Sequence, residues 1–190
     1  MKLKDEEKAR AIASATFSLV EQTGLSGLTM AAIARQAGLA TGTLYVYYRS
    51  KDELLADLYE QAKTAVAARL MQGDDPATPF RSRFQRIWTN LLENRVDHFA
   101  EMLFLEQYAN SPWFSEASRT LSARLIKDWI DLLEAAKSQQ ILKDVPTVLL
   151  ISSFVGSVRE TSNLLRSGAL ANTDACQAMA FALCWDGIKA

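Results

Sequence analysis

Thr29 to Leu54 reads TMAAIARQAGLATGTLYVYYRSKDEL, and its spacing predicts a helix, a tight turn and a second helix that closes on an aromatic cluster and a lysine. Thr29 is suited to cap the first of these, because its hydroxyl can accept a hydrogen bond from an orphan amide of the first turn. Met30, Ile33, Ala34 and Ala37 recur at helical spacing and make one apolar face. Gly38 stands where a helix ends in the left-handed conformation that glycine adopts cheaply. Leu39 is expected to turn back into the core, and Thr41 or Thr43 to open a second helix carrying Leu44, Tyr45, Tyr47 and Tyr48. Two helices joined by a few residues containing glycine form the helix-turn-helix pattern, whose second helix can lie in a major groove.

Short helix pairs occur in any all-helical protein, so spacing alone does not single out a DNA reader. The chemistry of the second helix does more. Thr41, Gly42, Thr43, Val46 and Tyr47 are short or amphipathic groups that can meet base edges, thymine methyls or phosphates without a long side chain in the way. Lys51 follows them with a positive charge placed for a backbone phosphate. With Tyr45 and with Thr29, Met30 and Ala31 at the start of the first helix, these residues make up the expected DNA-contacting set.

The segment resembles the DNA-binding domain of TetR-family transcriptional repressors. The resemblance is carried without a gap by Thr29, Ile33, Ala34, Ala37, Gly38, Gly42, Thr43, Leu44, Tyr45, Tyr47, Tyr48, Lys51 and Leu54. The family's first helix is matched by Arg10, Ile12, Ala15, Phe17, Leu19 and Val20, ending at Gly24. Ala40 stands where the family often has a serine or another capping residue, which leaves the cap of the second helix to Thr41 or to water. Tyr48 stands where phenylalanine is common. The motif resemblance covers residues 8–55; beyond them it is architectural.

Composition agrees with a helical globule. The 190 residues are 49% hydrophobic, with only 8 Gly and 4 Pro, enough for one or two small domains with a full core. A net charge of −1 excludes a generic polyanion binder. Through residue 55, Lys2, Lys4, Lys8, Arg10, Arg35, Arg49 and Lys51 stand against Asp5, Glu6, Glu7, Glu21, Asp52 and Glu53. DNA affinity is therefore expected to lean on dimerisation and shape rather than on bulk charge. No apolar run reaches the roughly 18 residues of a membrane span. The start, MKLKDEEKAR, lacks the apolar middle of a signal peptide, which implies a cytoplasmic protein. Cys176 and Cys184 lie eight apart on one predicted helix, a rise of about 12 Å, too far for a disulfide, and read as small buried hydrophobes.

Along the rest of the chain a connecting helix is predicted over 51–71, with Leu54, Leu55, Leu58, Tyr59, Ala62 and Val66 inward and Gly73, Asp74, Asp75 and Pro76 marking its end. Further helices are expected at about 79–95, 97–109, 114–138, 146–166 and 173–187. No alternating strand pattern is present, so the fold class is all-α, with about nine helices. Residues 1–50 are expected to form the three-helix DNA-binding domain, and residues 51–190 an effector-binding and dimerisation bundle.

Neither of the last two helices has a polar stripe in its middle. Val148, Leu149, Ile151, Phe154, Val155 and Val158, with small Ser152, Ser153 and Gly156 among them, permit close helix approach, and Ala175 to Trp185 adds a second apolar helix. A helix apolar nearly all round is covered on two sides, so residues 146–187 are expected to build a homodimer interface, as the family resemblance also implies. A two-fold pair of reading helices would match a pseudo-palindromic double-stranded DNA operator. The middle helices carry the expected effector site, which the resemblance places between them: Phe84, Trp88, Leu91, Phe99, Met102, Leu103, Tyr108, Leu125, Trp129 and Phe154. His98, Glu101, Glu106, Gln107, Tyr108 and Asn110 are its polar candidates, although His98 fits a helix start at the surface better.

The expected function is a ligand-responsive repressor released from DNA by a small apolar or aromatic effector. With one His and no phosphate loop, nucleophile elbow or metal-ligand spacing, no enzyme, cofactor or metal is expected. The competing reading, a helical interaction adaptor without DNA binding, accounts for the apolar terminal helices but not for the threonine and tyrosine pattern from Thr41 to Tyr48.

Overall fold

A computed structural model describes residues 2–190, with side chains from Glu6 onward; the side chains of Lys2, Lys4 and Asp5, counted in the charge balance above, lie outside it. The helices are α1 (Lys2–Thr23), α2 (Met30–Gln36), α3 (Thr41–Tyr47), α4 (Lys51–Leu70), α5 (Phe80–Asp97), α6 (Phe99–Ala109), α7 (Glu116–Leu125), α8 (Lys127–Ser138), α9 (Thr147–Ser167) and α10 (Asp174–Ile188). A 3-10 turn, Leu25–Gly27, joins α1 to α2. No strand occurs among the described residues, only an isolated bridge between Leu142 and Lys189. The fold is all-α.

Among the described residues ten helices replace the expected nine, because the single helix read over 114–138 is broken at Ile126. There the backbone sits at φ −101 and ψ 5, and α8 restarts with the Ile130 amide donating to the Ile126 carbonyl at 3.0 Å. That bridge-region conformation is open to any residue, so neither glycine nor proline marks the break.

The helix ends follow local chemistry. Thr29 caps α2, its hydroxyl accepting from the Ala32 amide at 3.1 Å. Gly38 closes α2 at φ 68; its amide donates to the Arg35 carbonyl at 3.2 Å and the Leu39 amide to the Ala34 carbonyl at 2.8 Å, a Schellman turn. Ser50 opens α4 by accepting from the Glu53 amide at 3.1 Å, and the Glu53 carboxylate reaches back to the Arg49 amide at 2.8 Å. Thr173 caps α10 in the same way, accepting from the Cys176 amide at 3.3 Å.

Packing gathers the helices into two compact units, and α4 runs from one into the other. The first holds residues 2–64 and 98–122, the second residues 65–97 and 123–190. A functional division at residue 50 and this division by packing are therefore different partitions of the chain. The core of the first unit is built on Ile12, Leu25, Ile33, Leu44, Leu54, Leu58 and Phe104, all buried. In the second, Phe84, Trp88, Leu133, Leu150, Phe154, Val158 and Phe181 are buried between α5, α8, α9 and α10. Cys176 and Cys184 are both free thiols, and burial pushes the Cys184 thiol upward in pKa.

The loop after α4 is held by a bidentate pair in which Arg83 donates from Nε and Nη2 to the two carboxylate oxygens of Asp74 at 2.8 and 2.7 Å. Those hydrogen bonds hold the Asp74 carboxyl below its usual range. Since the folded pKa is the lower one, this stabilisation is complete above the ordinary carboxylate pKa and is lost as pH falls through the folded value. Asp74→Asn is expected to cost about 1.5 kcal/mol in urea unfolding at neutral pH, with the gap to the natural protein closing below about pH 4. Gly38→Ala is expected to cost about 1 to 2 kcal/mol in the same measurement, because a Cβ there meets no atom within 4 Å and only the left-handed backbone opposes it.

Candidate nucleic-acid interface

Burial divides the second helix of the motif into two faces. Leu44 is fully buried against α2, whose own Met30, Ile33 and Ala34 are buried with it. Tyr48, just past the end of α3, is also buried, and its hydroxyl donates to Asp57 Oδ2 at 2.7 Å, which anchors α3 to α4. Burial and that carboxylate push the phenol pKa well above the usual tyrosine range, so it stays a donor.

The other face is open. Val46 is 83% exposed and Tyr45 50% exposed, with Thr41 and Gly42 also at the surface and Thr43 and Tyr47 half-buried beside them. The first helical residue is Thr41, preceded by Ala40, and no side chain caps the helix; the Ala40 carbonyl instead accepts from the Thr43 amide at 2.9 Å. At the start of α2, Thr29 and Ala31 are exposed.

Two members of the expected DNA-contacting set are placed differently. Met30 is buried in the core of the first unit, because the period that fills the apolar face of α2 begins with it. Lys51 turns inward: its ammonium donates to the Leu25 carbonyl at 3.3 Å and lies 4.5 Å from the centre of the Trp113 ring. Desolvation lowers its pKa. Exposed cations next to α3 in the chain are Arg35, in the last turn of α2, and Arg49, two residues past the end of α3. For Arg35 the signal in the sequence is helical phase, since it falls opposite the buried positions of α2, whereas Arg49 lies between two helices and has no such phase.

The turn between α1 and α2 is fixed by residues distant in the chain. The amide of Leu25 donates to Gln107 Oε1 of α6 at 2.7 Å, while its carbonyl receives Lys51 of α4. Gln107, expected as a ligand contact, is thus a backbone clamp. Phe17 of α1 meets Phe104 of α6 with ring centres 5.1 Å apart, so α6 packs in the first unit with the motif.

Residues 12–58 match the family model described as bacterial regulatory proteins, tetR family, and residues 79–189 match one described as the tetracyclin repressor-like C-terminal domain. The second match alone spans more than half the chain. The chain belongs to the TetR family. That family consists of transcription regulators, not enzymes. An uncharacterised HTH-type transcriptional regulator of Haemophilus influenzae is 30% identical over 113 residues, 60% of this chain and 60% of that protein. The HTH-type transcriptional regulator BetI of Escherichia coli is 30% identical over 134 residues, 65% of this chain and 66% of that one. The chain thus aligns with somewhat under two thirds of the length of these relatives. Among solved structures, a TetR family transcription regulator from Marinobacter aquaeolei superposes with a TM-score of 0.91 at 23% identity, covering 100% of this chain and 99% of that one. That likeness shows a shared fold.

In this TetR-family chain the expected effector residues are split between the units. Phe84, Trp88, Leu91, Leu125, Trp129 and Phe154 belong to the second, and Phe99, Met102, Leu103 and Tyr108 to the first. Within the second unit the rings fill space against each other: Phe84 lies 5.4 Å from Trp129 and 5.1 Å from Phe154, and Trp129 lies 5.0 Å from Phe154. These three rings are core, as aromatic side chains at helical spacing commonly are. Trp88 donates from Nε1 to Ser157 Oγ at 2.9 Å. Among the polar candidates, Tyr108 donates to the Trp113 carbonyl at 3.0 Å and Asn110 to the Glu106 carbonyl at 2.8 Å, while His98 is an exposed residue at the start of α6.

The clamp on Leu25 is testable by comparing two variants of Gln107. Gln107→Leu leaves a buried amide unpaired and is expected to lower stability by about 1 to 3 kcal/mol, whereas Gln107→Glu retains an acceptor and should recover most of that loss in thermal unfolding.

Proposed function

We propose that the protein is a cytoplasmic, homodimeric repressor that reads a pseudo-palindromic operator through α3 and is released from it by a small, mainly apolar effector. The observation that carries the reading is the exposure of Tyr45 and Val46 on the middle of α3, on a motif whose Met30, Ile33, Ala34 and Leu44 are buried. An apolar side chain exposed there has a natural counterpart in a thymine methyl, and a tyrosine hydroxyl one in a phosphate or base edge. Thr29, Ala31, Thr41, Gly42, Thr43 and Tyr47 surround them, and Arg35 and Arg49 take the phosphate-contacting role first expected of Lys51. The motif's near-neutral charge makes a second copy necessary for useful affinity.

The dimer reading is supported by α9 and α10. Val148, Leu149, Val155 and Leu164 of α9 and Met179 and Leu183 of α10 are large apolar side chains left exposed, while Leu150, Phe154, Val158, Phe181 and Cys184 face inward. A large exposed apolar surface on a soluble protein marks an interaction site, and a two-fold axis lets one patch cover its own copy. No helix among the described residues is long and apolar enough to cross a membrane, so a lipid-spanning role does not compete for this surface.

An effector bound behind the motif would act by favouring one position of α6, whose Gln107 holds the turn before α2. The adaptor reading leaves Tyr45 and Val46 without a role.

Fluorescence anisotropy with duplexes from the protein's own promoter region tests the DNA half. Arg49→Ala is expected to weaken binding to all sequences alike and to reduce the salt slope by about 1, whereas Tyr45→Ala should lower operator affinity by roughly tenfold and narrow the preference over unrelated DNA. No salt-dependent, sequence-selective binding by the unaltered protein would sink the reading. Leu183→Glu tests the dimer half by light scattering: the expected product is a folded monomer with little operator affinity, and an unchanged dimer would exclude this face.

A further inference from the structure

Leu25 and Lys51 stand at the two ends of the reading motif. Leu25 lies in the turn that leads into α2, and Lys51 is the first residue of α4, just beyond α3. The Lys51 ammonium donates to the Leu25 carbonyl at 3.3 Å, so the entry and exit of the helix-turn-helix are tied to each other. At that length the hydrogen bond lies outside the usual range for an N–H to oxygen contact and is weak alone. A second attraction holds the ammonium in place. It sits 4.5 Å from the centre of the Trp113 ring, within reach of the negative potential of that ring's face.

Gln107 and Trp113 belong to one short segment, and that segment touches both ends of the motif. Gln107 Oε1 accepts from the Leu25 amide at 2.7 Å, while Trp113 meets Lys51. The span between the two is itself braced. The Tyr108 hydroxyl donates to the Trp113 carbonyl at 3.0 Å, and Ser111 donates to the Tyr108 carbonyl from Oγ at 2.7 Å and from its amide at 3.0 Å. Tyr108 is buried, its ring 4.8 Å from that of Tyr59 on α4. All of these residues lie in the first unit. Residues 107–113 therefore grip the entry of the motif by a hydrogen bond and its exit by a cation on an aromatic face. A side chain that merely covered apolar surface would need no ring over the ammonium, and a leucine would serve.

We propose that Trp113 is a positioning residue for DNA reading: by holding Lys51 against Leu25 it fixes the tilt of α2 and α3, and with it the fit of α3 to a selected sequence. This rests on the reading of α3 as the DNA-facing helix and extends it to a residue outside the motif.

The test compares three variants of the full chain: Trp113→Leu, which keeps an apolar side chain without a ring, Trp113→Phe, which keeps a ring, and Lys51→Met. Anisotropy titrations give the ratio of affinities for a selected duplex and for an unrelated duplex of the same length. Trp113→Leu is expected to lower that ratio roughly fivefold, through weaker binding of the selected duplex, and Trp113→Phe to keep most of it. Lys51→Met should lower the ratio as Trp113→Leu does, and the double variant no further than either alone, since both changes break one contact. Hydrogen exchange read by mass spectrometry needs no DNA: Trp113→Leu should speed exchange over residues 25–47 relative to α9, and Trp113→Phe should not. An unchanged affinity ratio or unchanged motif exchange in Trp113→Leu, or losses that add in the double variant, overturn the proposal. Absence of sequence-selective binding by the unaltered protein overturns the DNA-reading proposal instead, and the exchange measurement still decides whether Trp113 positions the motif.

Discussion

Both backbone polar groups of Leu25 are held by side chains from elsewhere in the chain, and the geometry of the reading motif depends on that arrangement. Leu25 is 4% exposed, so its amide and carbonyl need protein partners. Gln107 supplies the acceptor from 82 residues away and Lys51 a donor from 26 residues away. The turn from α1 to α2 therefore takes its position from α6 and α4. Helix α6 belongs by sequence to the part of the chain expected to sense a ligand, yet it packs with the DNA-reading motif.

Inside that unit, polar side chains are used mainly as joints. Tyr48 ties the end of α3 to Asp57 of α4, and Lys51 rests on Trp113 while bonding Leu25. A phenylalanine in place of Tyr48 would fill the same volume without the bond to α4. Because these groups turn inward, the outer face of α3 is left to uncharged residues, Tyr45 and Val46 above all. Such a surface offers shape and methyl contacts rather than a strong field. Long-range attraction to DNA then falls to a few flanking arginines.

The second unit shows how one helix can serve two surfaces. Along α9, Leu150, Phe154 and Val158 point to the aromatic core, while Val148 and Val155 face out. Exposed Ser152 and half-buried Gly156 lie between the two apolar sets, leaving room for another helix to approach.

What could be read from the sequence was local. The Thr29 cap, the glycine end of α2, the start of α4 at Lys51 and the inward stripe of that helix all depend on residues within a turn or two of each other, and each stands in the structure where its spacing placed it. The all-α class followed from the same 3.6-residue period. Tertiary structure decided the rest. The break at Ile126 has no local signal, because its backbone conformation is open to any residue. The inward turn of Lys51 depended on Trp113 and Leu25 lying within its reach, and the part played by Gln107 on a buried amide 82 residues away. The aromatic residues of the middle helices, alike in a sequence, were divided between two cores by packing. The reason is physical: periodicity and capping are properties of neighbouring residues, whereas the partner of a long side chain is set by which distant segment the fold brings within about 3 Å of its tip.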